Sequence, residues 1–154
     1  MAEPTWKILR AGPNDLELAR QAVTELHGRT IADESELRAF LSDRTCCLML
    51  AVAAGRVLGS LVGYSLPWPL RPQPQFLLYE IDVRPDSRRL GIGTALVNAF
   101  TNEARAVHAH EVWVLTNESN AAAMKLYETC GYRRGNHDDV MFSLELHHGP
   151  NTQK

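Results

Sequence analysis

The sequence predicts an α/β fold with a mixed, mostly antiparallel sheet. In the first half of the chain, apolar runs rich in β-branched residues flank short turns, which is typical of antiparallel hairpins. Residues 76–116 instead pass from a strand pattern through a helical stripe to a second strand, and such a unit favours one parallel pairing. At 154 residues, the chain is predicted to form a single domain over residues 1–146, followed by a tail at residues 147–154.

The N-terminal part is predicted to hold a strand at residues 5–10 and then two helices. Asn14 is followed three residues later by Glu17, and Asp33 by Glu36; each pair has the spacing of a capping box at a helix start.

Residues 45–53 and 56–64 are predicted to form a hairpin, because they flank a tight Ala-Gly turn. The following segment, residues 66–74, is rich in proline, which removes backbone donors, so we expect a rigid loop and not a central ladder. Its Trp68 could either plug the core or wall a substrate cleft.

The second half is predicted to hold two further helices and two further strands. One helix begins at Ile92, and another begins at Ala121 and ends at a glycine cap, Gly131. The strands are predicted at residues 111–116 and 140–146.

The composition argues against several function classes. A net charge of −2 without a basic run argues against a nucleic-acid partner. No apolar stretch approaches the ~20 residues of a membrane span, and the N-terminus has no signal-peptide pattern. The three cysteines and six histidines have no metal-ligand spacing, and an odd cysteine count suits a reducing compartment. We therefore expect a cytoplasmic protein without metal, nucleic acid or membrane as partner, and leave homodimerisation open.

The strongest functional signal lies in residues 79–96. A strand that alternates acids with β-branched residues stops at Pro85, and a loop with paired arginines and two glycines leads into the helix at Ile92. Glycines at a helix start let backbone amides approach an anion, and arginines add charge-assisted donors. These residues predict a pyrophosphate site, with an arginine-rich surface turn as the alternative.

The spacing distinguishes between pyrophosphate loops. The nucleoside-triphosphate loop needs a lysine after its last glycine, and the dinucleotide loop needs a third glycine where Leu96 stands. The spacing Arg88-x-x-Gly91-x-Gly93 resembles the acetyl-CoA loop of the GNAT acetyltransferases.

A second stretch resembles the other GNAT signature: Asn120-x-x-Ala123-x-x-Leu126-Tyr127-Glu128-x-x-Gly131-Tyr132. Four further features lie within about residues 50–146: the hairpin Leu58–Pro67, the strand Tyr79-Glu80-Ile81-x-Val83, the loop Arg88-Arg89-x-Gly91-Ile92-x-Thr94-Ala95-Leu96 and the ending that starts at Val140-Met141. In these features the chain is most similar to the aminoglycoside 3-N-acetyltransferases. It departs from them at Glu80, where that family often has aspartate, and at residues 117–122, which lack an acidic, proline-containing segment.

The resemblance implies a GNAT fold of about seven strands and about four helices, with a sheet splayed at its fourth strand. Acetyl-CoA would lie in the splay. Its pyrophosphate would bind the amides and guanidinium groups of Arg88, Arg89, Leu90, Gly91, Ile92, Gly93, Thr94 and Ala95. Its pantetheine arm would contact Ile81, Val83, Asn120 and Tyr127.

The resemblance also places Glu80 on the strand that forms the cleft, as the candidate base, acting directly or through water. Asp82 shares its face two residues later. Tyr127 is the candidate acid for the leaving thiolate. The alternatives are a Glu80 that pairs with an arginine and a Tyr127 that only packs.

The implied acceptor is an aminoglycoside, acetylated on the 3-amino group of its deoxystreptamine ring, which gives antibiotic resistance. A polycationic substrate needs carboxylates, and the chain offers three groups of acids. These are Glu80 with Asp82, Asp138 with Asp139, and Asp33 with Glu34 and Glu36. Asp138 could instead pair with Arg133 or Arg134. The alternative functions are acetylation of a protein N-terminus or small polyamine, and non-catalytic acetyl-CoA binding.

Overall fold

The sheet contains five strands in the order in which they occur along the chain. The computed structural model describes residues 5–31, 33–136, 138 and 140–146. The strands are β1 (Lys7–Arg10), β2 (Cys46–Ala53), β3 (Arg56–Trp68), β4 (Arg71–Val83) and β5 (Glu111–Val114). The first four pair antiparallel and β4 pairs with β5 in parallel, which confirms the α/β class and the mixed, mostly antiparallel sheet.

Helices cover both faces of the sheet. They are α1 (Leu16–Gln21), which continues as a π-type turn over Ala22–Leu26, α2 (Glu34–Ser42), α3 (Ile92–Ala106) and α4 (Ala121–Thr129). The sheet has a hydrophobic core on each face, and alternate residues of β2 point into one core or the other. Leu50 packs with α1 and α2, and Met49 packs with α3 and α4. None of the described helices is long and apolar enough to cross a membrane.

Two of the predicted helix starts are confirmed by their caps. The Asp33 carboxylate accepts from the Ser35 N–H at 2.8 Å, and the Asn120 side chain accepts from the Ala123 N–H at 3.1 Å. The cap predicted at Asn14 is wrong. Asn14 lies inside a 3-10 turn over Pro13–Asp15, in which the Asp15 carboxylate accepts the Gly12 N–H at 2.9 Å, and the residue before α1 is Asp15.

The count of about seven strands is wrong for the described part of the chain. Residues 140–146 alternate as a strand would, but they form no ladder, and Phe142 is 90% exposed. An alternating pattern only makes a strand possible; the strand forms when a free edge pairs with it. Among the described residues, the outer edge of β5 has no such partner.

The proline-rich segment is the tip of the β3–β4 hairpin, so the prediction of a loop at residues 66–74 is wrong. Trp68 pairs with Arg71 across the tip. β2 begins at Cys46 opposite Tyr64, and the Ser65 N–H still donates to the Thr45 carbonyl at 2.7 Å. Beyond Ser65 the outer edge of β3 has no strand partner among the described residues, so Pro67 removes no donor that a ladder needs. Trp68 is 55% exposed, so it does not plug the core.

The ladder between β4 and β5 ends where Leu78 faces Val114. β4 continues to Val83, and a register shift against β3 leaves Tyr79 as an extra residue in it. Residues 79–83 of β4 therefore have an edge without a strand partner in the described chain, which is the splay expected at the fourth strand.

Candidate active site

The open edge of β4 presents backbone groups next to the anion loop. The Arg84 N–H donates to the Leu58 carbonyl on β3 at 2.8 Å. Since successive residues of a strand point their backbone groups to opposite edges, Ile81 and Val83 direct theirs towards the splay. An extended ligand with amide groups can pair with that edge as a strand would.

Glu80 lies beside this edge and is held by a histidine. Its Oε1 lies 3.1 Å from His27 Nδ1, and its side chain is 46% exposed. The other ring nitrogen, His27 Nε2, lies 2.8 Å from Ser60 Oγ on β3. Glu80 therefore pairs with a buried imidazole and not with an arginine, while part of its carboxylate remains open to solvent.

Asp82 and Val83 are tied to each other and to the loop that follows. Asp82 Oδ1 accepts the Val83 N–H at 2.8 Å and lies 4.0 Å from an Arg88 guanidinium nitrogen. Arg88 Nε donates to the Val83 carbonyl at 3.1 Å. A pantetheine bond at Val83 would have to replace these contacts, whereas no side chain of the described residues takes the backbone groups of Ile81.

The loop into α3 has the geometry of an anion cradle. Arg89 and Gly91 both adopt left-handed backbone angles, with φ of 63° and 78°, which turns successive N–H groups towards one side. No side chain caps α3, so its first amides are free of intrahelical partners. A Cβ added at Gly91 would meet no atom within 4 Å, so a phosphate can approach the backbone there. The residues present fit a pyrophosphate group.

The second signature places its residues on α4. Asn120 uses its side chain to cap this helix. Tyr127 is 8% exposed in the core under α3. Burial raises the pKa of its phenol, and the neighbouring Tyr132 raises that pKa further. Its hydroxyl makes no hydrogen bond within the described chain. Among the described residues, no fully buried side-chain oxygen lacks a hydrogen-bond partner, so the unbonded hydroxyl of Tyr127 must reach the surface.

The three groups of acids do not all converge. Asp33 caps α2, where bonds from Ser35 lower the pKa of its carboxyl, and Glu34 pairs with Arg38 at 3.3 Å. Asp138 is exposed and joins no ion pair among the described residues, because Arg134 pairs with Glu118 at 2.8 Å. Asp139 lies outside the described residues.

Sequence analysis missed the surroundings of Glu80. It found no metal-ligand spacing among the histidines and did not connect His27 with Glu80, although the two side chains are in contact. It also missed a row of rings on the same side of the sheet, where Tyr64 stands 6.1 Å from Phe40 and 5.7 Å from Tyr79 between ring centroids. No spacing signal links these residues, because they come from α2, β3, β4 and the turn after α1.

The chain belongs to the acetyltransferase (GNAT) family, whose sequence profile matches residues 16–132. Those residues include the open edge of β4, the anion loop and α4. Acetyltransferases of this family use acetyl-CoA, and the cradle described above fits its pyrophosphate.

The curated relatives match only part of this chain and only part of their own length. Human N-acetyltransferase 8 is 29% identical over 119 residues, which are 76% of this chain and 52% of that protein. The chain spans about half the length of the first curated relatives it matches. The ribosomal protein bS18-alanine N-acetyltransferase of Escherichia coli (strain K12) is 38% identical over 55 residues, or 36% of this chain and 37% of that protein.

Among solved structures, an aminoglycoside acetyltransferase from an uncultured soil metagenomic sample, in complex with sisomicin, superposes with a TM-score of 0.77. Its identity is 23%, and the match covers 92% of this chain and 97% of that one. At this identity the likeness shows the fold alone.

Proposed function

We propose that the protein is a cytoplasmic, acetyl-CoA-dependent N-acetyltransferase that acetylates a primary amine of an aminoglycoside, at the 3-amino group of the deoxystreptamine ring. The observation that carries the proposal is the position of Glu80. A half-exposed carboxylate lies at the open edge of β4, and the anion loop follows the same strand. This arrangement supports amine deprotonation beside a bound pyrophosphate ligand.

Acetyl-CoA, when bound, supplies an acetyl thioester that a neutral primary amine can attack. In this proposal the amides at the start of α3 and the guanidinium groups of Arg88 and Arg89 hold the pyrophosphate. The exposed Arg89 side chain makes no hydrogen bond or ion pair within the described residues, so it is free to do this. Ile81 offers its open backbone groups to the pantetheine arm.

In this proposal one side chain accepts a proton and another donates one. Glu80 accepts one proton from the acceptor ammonium, which creates the nucleophilic amine. Tyr127 gives one proton to the leaving sulfur. Burial raises the pKa of Tyr127, so the phenol is protonated at neutral pH and available as a donor. After the transfer the proton on Glu80 passes to solvent, and the second proton that the nitrogen loses as the amide forms restores the Tyr127 phenol.

The acceptor side combines the Glu80 carboxylate with exposed aromatic rings. Tyr64 and Tyr79 form an edge-to-face pair, and Tyr79 is 64% exposed. Exposed aromatic rings beside a carboxylate attract ammonium groups and also stack against sugar rings. The structural relative solved with sisomicin is consistent with such an acceptor, although its identity is only 23%.

The proposal is tested by thiol release from acetyl-CoA against a panel of amines. The panel contains gentamicin, sisomicin, spermidine and a peptide with an N-terminal alanine. We expect the deoxystreptamine drugs to be acetylated fastest, and mass spectrometry to place the acetyl group on the 3-amine. No turnover of either drug would exclude the aminoglycoside acceptor.

Asp138 and Asp139 provide a second test of the acceptor. Asp138→Asn combined with Asp139→Asn should raise KM for gentamicin without changing the affinity for acetyl-CoA. The rise should shrink as salt increases, because exposed charges are screened. An unchanged KM at low salt would remove these acids from the acceptor site.

A protein N-terminus is the second candidate acceptor, favoured by the match to the bS18-alanine N-acetyltransferase. An acceptor peptide would meet the same Glu80, so the base does not distinguish the two functions. Turnover of the alanine peptide with no turnover of the drugs would select this candidate. If no amine in the panel is acetylated although acetyl-CoA binds, the protein is a non-catalytic acetyl-CoA-binding module.

A further inference from the structure

We propose that His27 and Ser60 are positioning residues that fix the Glu80 carboxylate as the proton acceptor. The inference rests on the proposed function, in which Glu80 is the base. His27 Nδ1 lies 3.1 Å from Glu80 Oε1, and His27 Nε2 lies 2.8 Å from Ser60 Oγ. The three side chains form a continuous chain of polar contacts from the core to the open edge of β4, with a hydrogen bond between Ser60 and His27 and a close pair between His27 and Glu80.

The burial of the three residues runs from the interior outwards. Ser60 is fully buried, the His27 side chain is 6% exposed and the Glu80 side chain is 46% exposed. A buried polar chain of this kind is geometrically restricted, because each group must keep its partner to avoid a desolvation cost. The only member in reach of an acceptor amine is Glu80.

The partners determine where the protons lie. Glu80 is a carboxylate acceptor, so His27 Nδ1 must carry the hydrogen that faces it. A neutral imidazole then has its acceptor at Nε2, and the Ser60 hydroxyl donates to it. Ser60 thereby satisfies the ring nitrogen that this tautomer leaves without a hydrogen.

The scaffold around His27 is also fixed. The π-type turn Ala22–Leu26 ends at His27, whose N–H donates to the Ala22 carbonyl at 3.3 Å. Within that turn, Glu25 pairs with Arg84 just after β4, and Arg84 Nε donates to the Val57 carbonyl of β3 at 2.6 Å. The turn that carries His27 is therefore attached to both strands that carry its partners.

This arrangement leaves one carboxylate oxygen for the reaction. His27 engages Oε1, so Oε2 stays available to the acceptor amine. An unrestrained glutamate would sample many rotamers, and a base must lie within hydrogen-bond reach of the proton that it removes. Holding Glu80 in one rotamer therefore acts on the rate of proton transfer and not on acetyl-CoA binding.

A matched pair of substitutions tests the inference. In His27→Asn the amide nitrogen falls near the place of Nδ1 and can still donate to Glu80, whereas in His27→Gln the amide falls near the place of Nε2 and serves Ser60 instead. We expect His27→Gln to lower kcat by roughly 10- to 100-fold with KM for acetyl-CoA unchanged. His27→Asn should retain at least tenfold more of the rate. Equal kcat values for the two variants would overturn the inference.

A control variant separates positioning from simple attachment of the helix. The Gln21 side chain, on the same helix, accepts the Val57 N–H at 3.3 Å and does not touch Glu80. Gln21→Ala should lower Tm as much as His27→Gln does, but leave kcat unchanged. A fall in kcat that follows Tm across all three variants would show that His27 is only structural.

Two further measurements keep the test decisive. In a Glu80→Gln background, His27→Gln should cause no additional loss of kcat; an additional tenfold loss would show that His27 acts elsewhere. If the His27 variants do not fold, nitrogen NMR of the wild-type protein provides the test. It should show a protonated Nδ1 and an unprotonated Nε2 on His27, and the opposite tautomer would refute the positioning role of His27.

The activity of Glu80→Gln separates the two proposals. Full activity of this variant would overturn the proposed base itself, whereas an inactive Glu80→Gln with a fully active His27→Gln would overturn only the positioning role of His27.

Discussion

At the scale of single residues, the proposed chemistry depends on two side chains with different surroundings. Glu80 is open to the acceptor and held from behind, while Tyr127 is buried among α3 and α4 residues except for its hydroxyl. A base needs access to a cation, and a proton donor needs to stay protonated until the thiolate forms. The two environments match these two tasks.

The role of Tyr127 is tested by removing its hydroxyl alone. Tyr127→Phe keeps the packing of the ring, so it should lower kcat by about tenfold or more with little change in KM. Tyr132→Phe is the matched control, because that hydroxyl bonds Thr101 at 2.9 Å and has no assigned part in the reaction. A Tyr127→Phe rate within about twofold of wild type would withdraw the acid role.

The residue scale also shows where prediction from sequence stops. Glu80 and Tyr127 lie within local patterns of one strand and one helix, so a single stretch of sequence was enough to single them out. His27 and Ser60 belong to the same site only because α1 and its π-type turn pack over β3. Side-chain contacts between distant segments leave no periodic signal in either segment.

At the scale of elements, the proposed function rests on the stretch from β4 through the loop to α3. Gly91 has a φ of 78°, a conformation that glycine, asparagine and aspartate tolerate best. Asparagine and aspartate are therefore the replacements for Gly91 that strain the backbone least.

Acetyl-CoA binding by this loop is tested with a charge at Gly91. Gly91→Asp combined with Arg88→Ala should weaken CoA binding by about 3 kcal/mol or more, through a carboxylate aimed at phosphate and a lost guanidinium. Gly91→Asn combined with Arg88→Ala is the control, since it has the same backbone demand without the charge. Calorimetry that gives equal CoA affinity for wild type and for the aspartate variant would contradict the assignment of the loop.

The packing of α3 on the sheet depends on a glycine in β3. A Cβ added at Gly63 would lie 2.3 Å from Phe100 Cζ and 3.0 Å from the Leu77 carbonyl oxygen. Phe100 is fully buried and has no room to move, so Gly63→Ala should lower the free energy of unfolding by about 2 kcal/mol or more. Gly12→Ala, whose Cβ would meet only Asp15 at 3.9 Å, should change it little in the same urea titration. Equal stabilities of the two variants would refute the packing argument.

Elements were predicted well where local chemistry decides them. The caps at Asp33 and Asn120 and the glycine turn at Gly131, with a φ of 85°, fix helix ends within a few residues. The hairpin tip and residues 140–146 were predicted wrongly, because pairing there depends on whether a neighbouring strand edge is present.

At the scale of the whole molecule, the sheet separates two cores, and one of them holds a buried thiol. Burial raises the pKa of Cys47 to about 11 from an ordinary value near 9. The folded state therefore keeps the proton that the unfolded chain releases. The stability from this group is complete below pH 9 and is lost as the pH rises through 11.

This linkage is measured by urea unfolding between pH 8 and pH 11. The Cys47 contribution should reduce the free energy of unfolding by about 2 kcal/mol between pH 9 and pH 11. Burial also raises the pKa of Tyr127 and Tyr132, so the relevant quantity is the difference between wild type and Cys47→Ala. If that difference does not change with pH, the thiol is not as sealed as its 4% exposure indicates.

The central claim, that the open edge of β4 holds the base of an N-acetyltransferase, is tested most directly by the rate of Glu80→Gln. The variant keeps the shape of the side chain and can still contact His27, but cannot take a proton. With saturating acetyl-CoA and the amine that the wild-type protein acetylates fastest, kcat should fall by roughly 10²- to 10⁴-fold. The affinity for acetyl-CoA should stay unchanged. A variant that acetylates the amine within twofold of the wild-type rate would contradict the account.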